Sequence, residues 1–99
     1  MRKRLEEREL SAALAELPGW ELRDGKLVRD FRFKDFAEAF AFMAACALRI
    51  HALDHHPEWS NVYAGVHVEL VTHDAGGITT RDVELARVME GIATRFPSA

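Results

Sequence analysis

Asp24-Gly25, set between Trp20-Glu-Leu-Arg23 and Lys26-Leu-Val-Arg-Asp-Phe-Arg-Phe33, turns the chain back on itself. Both central positions of a two-residue hairpin turn require φ > 0, and Asp-Gly accepts that conformation with little strain. On the flanks, Trp20 and Leu22 alternate with charged residues, as do Leu27, Phe31 and Phe33 with less regularity. The ribbon is therefore predicted to bury one face and wet the other.

Helical spacing surrounds this hairpin. Leu10, Leu14 and Leu17 recur at intervals of four and three, predicting a first helix over Arg4–Leu17 that Pro18-Gly19 stops. Asp35 supplies an N-cap, with Glu38 reaching back in capping-box fashion, for a second helix running to about Leu53. Between Ala39 and Leu48 that helix is apolar on every side, so two covers are expected: its own sheet and a neighbouring subunit. Val62 and Tyr63 open a third strand, Ala64-Gly65 makes the turn, and Val66–His73 alternates with period two as a fourth. Gly76-Gly77 breaks that strand. Thr79, with Asp82 three residues on, caps a last helix striped by Leu85, Met89, Ile92 and Phe96 and ended by Pro97. The order α-β-β-α-β-β-α predicts an α+β fold, a four-stranded antiparallel sheet with three helices on one face.

With 99 residues the chain sustains one core, and 1–99 is read as one domain. Thirteen Lys+Arg against sixteen Asp+Glu leave a net charge of −3, which disfavours a nucleic acid partner. The ten-residue apolar stretch is about half a membrane span, and the amino end has no apolar run of a secretory signal. A cytoplasmic location away from membranes is expected. The single cysteine, Cys46, excludes an internal disulfide and is expected to pack as a small hydrophobe.

Chemistry concentrates in the histidines: His51, His55, His56, His67 and His73. His51 and His55, four apart, share a face at the end of the second helix. Pro57 pushes His56 off the helical path. A strand end carrying His73 beside that exit would gather His55, His56 and His73 at one pocket. Imidazoles both give and accept protons near neutrality, and Asp54 and Asp82 stand ready to orient them. Neither a nucleophile elbow nor a Gly-rich phosphate cradle is present. A competing reading places a metal on His51, His55 and His73. Asp stands in that pattern where Glu is required, and Pro57 cuts the helix at once. His67 reads as a surface or subunit-contact residue, Asp82 as half of a capping box, and Trp59 as a core or interface anchor.

His55-His56-Pro57-Glu58-Trp59-Ser60-Asn61-Val62-Tyr63, then Val66–His73 and Gly77-Ile78-Thr79-Thr80-Arg81-Asp82, resembles the pterin-4a-carbinolamine dehydratases. That family's pattern runs from a polar or charged residue through His-His-Pro, an aromatic and a further His to Asp. This chain supplies His51, His55-His56-Pro57, Tyr63, His73 and Asp82 at those spacings, and the match extends from about Trp20 to Phe96. The resemblance implies dehydration of 4a-hydroxytetrahydropterin to quinonoid dihydropterin, recycling the cofactor of an aromatic amino acid hydroxylase. It implies no metal or organic cofactor, a homo-oligomer (dimer or tetramer), and His55, His56 and His73 as the catalytic residues. Substrate contacts would come from Asp54, His55, His56, Val71, Thr72 and His73, with Trp59 and Asp82 beside them. Members of the family also serve as dimerisation cofactors, which leaves a non-catalytic binding module as the alternative. His51 stands where Glu is frequent, Ser60 where a bulkier residue is common, and Asp74 where Glu is frequent.

Overall fold

The computed structural model describes residues 3–96. Its elements follow the expected order: α1 (Glu7–Ala15), β1 (Glu21–Arg23), β2 (Lys26–Arg32), α2 (Phe36–Leu53), β3 (Glu58–Val62), β4 (Gly65–Leu70) and α3 (Thr80–Ala93). All strand pairs are antiparallel, in the spatial order β1-β2-β4-β3. At the first hairpin Asp24 and Gly25 have φ of 53° and 78°, as a two-residue turn of that hand demands. Arg23 therefore pairs with Lys26, and the register carries Leu27 opposite Leu70 and Phe31 opposite Val66.

Burial follows from this register. Leu27, Phe31, Val66, Val68 and Leu70 face the helices, and α2 contributes Ala39, Phe42, Cys46 and Ile50 from one side. Phe42 is the hub, its ring centroid 4.8 Å from those of both Phe31 and Phe33. α3 adds Val83, Leu85, Ala86 and Met89, and α1 closes the layer with Leu10 and Leu14. Glu90 ties the layers together, accepting hydrogen bonds from Trp20 Nε1 at 2.8 Å and Arg29 Nε at 2.6 Å. Cys46 is wholly buried, which pushes its thiol up to about 12 and makes it inert.

Several boundaries differ from expectation. α1 begins at Glu7 because Glu6 and Glu9 form a reciprocal capping box, and Arg4-Leu5 lies outside the helix. Its regular part ends at Ala15, with Glu16 and Leu17 in a closing turn. Glu38 reaches past the N-cap Asp35 to accept from Lys34 N–H at 3.3 Å. β3 starts at Glu58, directly after Pro57, and the turn falls on Tyr63-Ala64, with Tyr63 at φ 50°. Asn61 fixes that turn by donating to the carbonyls of Tyr63 and Gly65. β4 stops at Leu70, so His73 opens a 3₁₀ turn, His73–Ala75, and does not end a strand. Leu22, on the short edge strand, is exposed, while Trp20 is buried. α3 ends before Phe96, and Pro97 lies outside the described residues.

Among the described residues nothing supplies the second expected cover of α2. One face lies on the sheet, whereas Phe36, Phe40 and Leu48 stand 49%, 57% and 76% exposed. The helix has 18 residues and a mean hydropathy of 1.5, enough by length and composition to span a bilayer, although one stripe is packed into the core.

Candidate active site

The end of α2 and the loop after β4 meet at a hollow of about 230 Å³, lined by Asp54, His55, His56, Val71, Thr72, His73, Asp74 and Arg81. Pro57 and Asp54 shape its first wall. Asp54 caps α2 in the left-handed conformation (φ 52°, ψ 44°), so the chain leaves the helix abruptly, with His55 turned inward to Asp82 and His56 exposed. The second wall is a loop closed by pairing between Thr72 and Gly77: Thr72 N–H donates to the Gly77 carbonyl at 3.0 Å, and Gly77 N–H to that of Thr72 at 3.4 Å.

Beneath the hollow lies Asp82, with no exposed surface. One carboxylate oxygen meets His55 Nε2 at 2.6 Å; the other accepts from Thr72 Oγ1 and Thr79 N–H, each at 2.8 Å. An ionised carboxylate only accepts, so His55 donates through Nε2–H, and in the neutral ring Nδ1 carries the lone pair. A residue read in the sequence as half of a capping box thus does two things. It caps α3, and it fixes the tautomer and plane of a buried imidazole.

The other two rings are open to solvent. His56 is 67% and His73 73% exposed at the side chain, each with a carboxylate oxygen 3.5 Å from Nε2, from Asp54 and Glu58 respectively. Glu58 is itself held by Lys26, whose Nζ lies 2.5 Å away, and this hydrogen bond draws its carboxyl below the usual glutamate range.

Of the expected site residues, Asp54, His55, His56, Val71, Thr72 and His73 come together. Asp82 stands behind the wall with its oxygens occupied, and Trp59 points to the helical side of the sheet, packed against the core. His51 is exposed on α2, outside the hollow, and His55 is engaged by Asp82, so the spacing that suggested a shared metal is not realised. No group of three His, Cys, Asp or Glu side chains among the described residues is arranged to hold a metal ion.

Sequence reasoning overlooked Arg81. Its guanidinium donates to the carbonyl of Leu53 at 3.1 Å and to that of Asp54, satisfying the carbonyl end of α2 from the first turn of α3. A cation in the first turn of a helix, where the dipole favours acidic residues, was the available signal. His67 lies elsewhere, on the open face of the sheet, between Asp30 (2.6 Å) and Glu69 (2.8 Å). Among the described residues, three larger hollows, one of about 440 Å³ beside His67, do not gather three imidazoles.

Residues 3–92 match the family model described as pterin 4 alpha carbinolamine dehydratase. The chain belongs to the pterin-4a-carbinolamine dehydratase family. A relative from Rhodopseudomonas palustris, named a candidate pterin-4-alpha-carbinolamine dehydratase, is 56% identical over 97% of both chains. One of the same name from Afipia carboxidovorans is 58% identical over 86% of this chain and 87% of its own. The crystal structure of a transcriptional coactivator/pterin dehydratase from Brucella melitensis superposes with a TM-score of 0.88 at 49% identity, covering 92% of this chain and 99% of that one. The expected dehydratase family and the α+β architecture are both borne out.

Proposed function

We propose that the protein dehydrates 4a-hydroxytetrahydropterin to quinonoid dihydropterin and water, and so returns the pterin cofactor of an aromatic amino acid hydroxylase to use. The observation that carries this reading is the convergence of His55, His56 and His73 from two segments on one hollow. The reaction needs a proton delivered to the 4a-hydroxyl as the carbon–oxygen bond breaks. It also needs a proton removed from the adjacent ring nitrogen as the new C=N bond forms. His55, held through Nε2, has a bare Nδ1 suited to the second task. His56 and His73 are solvent-exposed rings that exchange protons with water and suit the first. Thr72 uses both its backbone N–H and its carbonyl inside the loop, which leaves Val71 to offer backbone groups to the amide-like edge of a pterin. Asp54 is the exposed carboxylate available to its amino group.

Stopped-flow measurement of carbinolamine decay, with and without protein, is the direct test. His56→Ala and His73→Ala should each lose most of the acceleration. Both residues are exposed, so fold and assembly should survive. Full turnover in both variants removes the catalytic assignment.

The exposed Phe36, Phe40 and Leu48 stripe supports association of copies through α2, as a dimer or tetramer. Leu48→Glu should shift sedimentation toward the monomer. The same stripe, with the coactivator name carried by the Brucella structure, favours a second reading in which the fold is a non-catalytic binding module. Decay of the carbinolamine at the spontaneous rate would favour that reading.

A further inference from the structure

The segment before α1 lies against the loop that carries His73. Leu5 N–H donates to the Ile78 carbonyl at 2.8 Å, across 73 positions of sequence. Its side chain is half-buried against the core cluster that includes Ile78. Arg4 adds a second contact. A β-carbon added to Gly77 would lie 2.6 Å from Cδ of Arg4 and 3.2 Å from its Cγ, so the aliphatic part of the arginine rests on the loop backbone.

The position of this contact gives it meaning. On one side of Ile78, Gly77 pairs in both directions with Thr72 and closes the loop that His73 opens. On the other side, Thr79 donates its N–H to Asp82, which holds His55. Ile78 therefore joins the His73 loop to the Asp82 brace, and Leu5 anchors it from outside. Short loops with few buried apolar contacts open locally unless something ties them down.

We propose that Arg4-Leu5 is a positioning strap for the His73 loop, with Leu5 N–H as its fastening. Neither residue touches the hollow; both act through the Gly77-Ile78 backbone. The catalytic consequence rests on the dehydratase reading, whereas the structural consequence does not.

The test uses the full chain and two variants. Leu5→Pro removes the donor N–H, and Leu5→Ala keeps it while giving up side-chain packing. Amide exchange followed by NMR should accelerate at Thr72, Gly76 and Gly77 in Leu5→Pro by about fivefold, the effect of one lost backbone hydrogen bond. Amides of β2 and β4 should keep their protection. The carbinolamine kcat should fall by a similar factor in Leu5→Pro and hold within about twofold in Leu5→Ala. Unchanged loop exchange in Leu5→Pro overturns the strap. So does equal loop acceleration in Leu5→Ala, which would make packing the cause. Faster loop exchange with undiminished turnover overturns the positioning role. If Leu5→Pro unfolds globally, the parent chain decides: a Leu5 amide exchanging at unprotected rates refutes the fastening, and one protected together with Gly77 upholds it. A parent chain with no dehydratase activity defeats the function, while the exchange result still judges the strap.

Discussion

Replacing Asp82 separates its two duties. In Asp82→Ala, the Thr79 N–H and the His55 Nε2–H lose their acceptor in a site with no exposure, while Thr72 Oγ1 retains Thr79 Oγ1 at 2.8 Å. Two orphaned donors at about 1–3 kcal/mol each predict a loss of about 2–6 kcal/mol. Asp82→Asn keeps the shape. Its oxygen still serves Thr72 and Thr79, but its NH₂ meets His55 and compels Nε2 to accept. The proton then moves to Nδ1 and removes the bare nitrogen on which base catalysis depends. Stability should drop by only about 1–2 kcal/mol, whereas kcat should fall by about 10²-fold or more. Urea unfolding measures the first quantity, stopped-flow decay the second, and ¹⁵N chemical shifts of the imidazole report the tautomer. The reasoning is refuted if Asp82→Asn keeps the parent turnover and ring shifts, or if Asp82→Ala unfolds at the parent midpoint.

His67, between Glu69 and Asp30, has its pKa raised, first by the Glu69 hydrogen bond and then by that of Asp30. The native state thus holds this proton more tightly than the unfolded chain. The resulting stability is complete below the ordinary histidine value of about 6.5 and disappears as pH rises through the raised one. A urea midpoint that does not decline over that range relative to His67→Gln would contradict this. Phe42→Ala empties the centre of the aromatic cluster and should cost about 3–5 kcal/mol in guanidinium titrations; a loss under about 1 kcal/mol would show that the core collapses around the gap. Cys46 should resist thiol reagents at pH 8 in the native protein and react on unfolding, so rapid native labelling would disprove its burial.

The hairpin, the helix caps and the fourth strand were legible because each is a local matter. Asp24-Gly25 carries its own turn geometry, Asp35 and Thr79 bind amides three or fewer residues away, and Val66, Val68 and Leu70 alternate over a buried face. β3 was read too late because Glu58–Asn61 is mostly polar, and its pairing is imposed by β4 rather than by a pattern of its own. The histidine cluster was visible as a spacing. Its division of labour was not, since whether an imidazole is buried or open depends on what packs over it. The roles of Asp82 and Arg81 were hidden for the same reason: each touches residues 27 or 28 positions away. The open face of α2 is a further case, because an all-apolar stretch says that covers exist without saying whose they are.

Asp82 lies in the first turn of α3, and this placement has a consequence for biogenesis. During synthesis the two histidines and their loop leave the ribosome before the carboxylate that disciplines one of them. An unfinished polypeptide therefore holds His55 without this carboxylate, and docking of α3 supplies core packing and the His55 partner in one event.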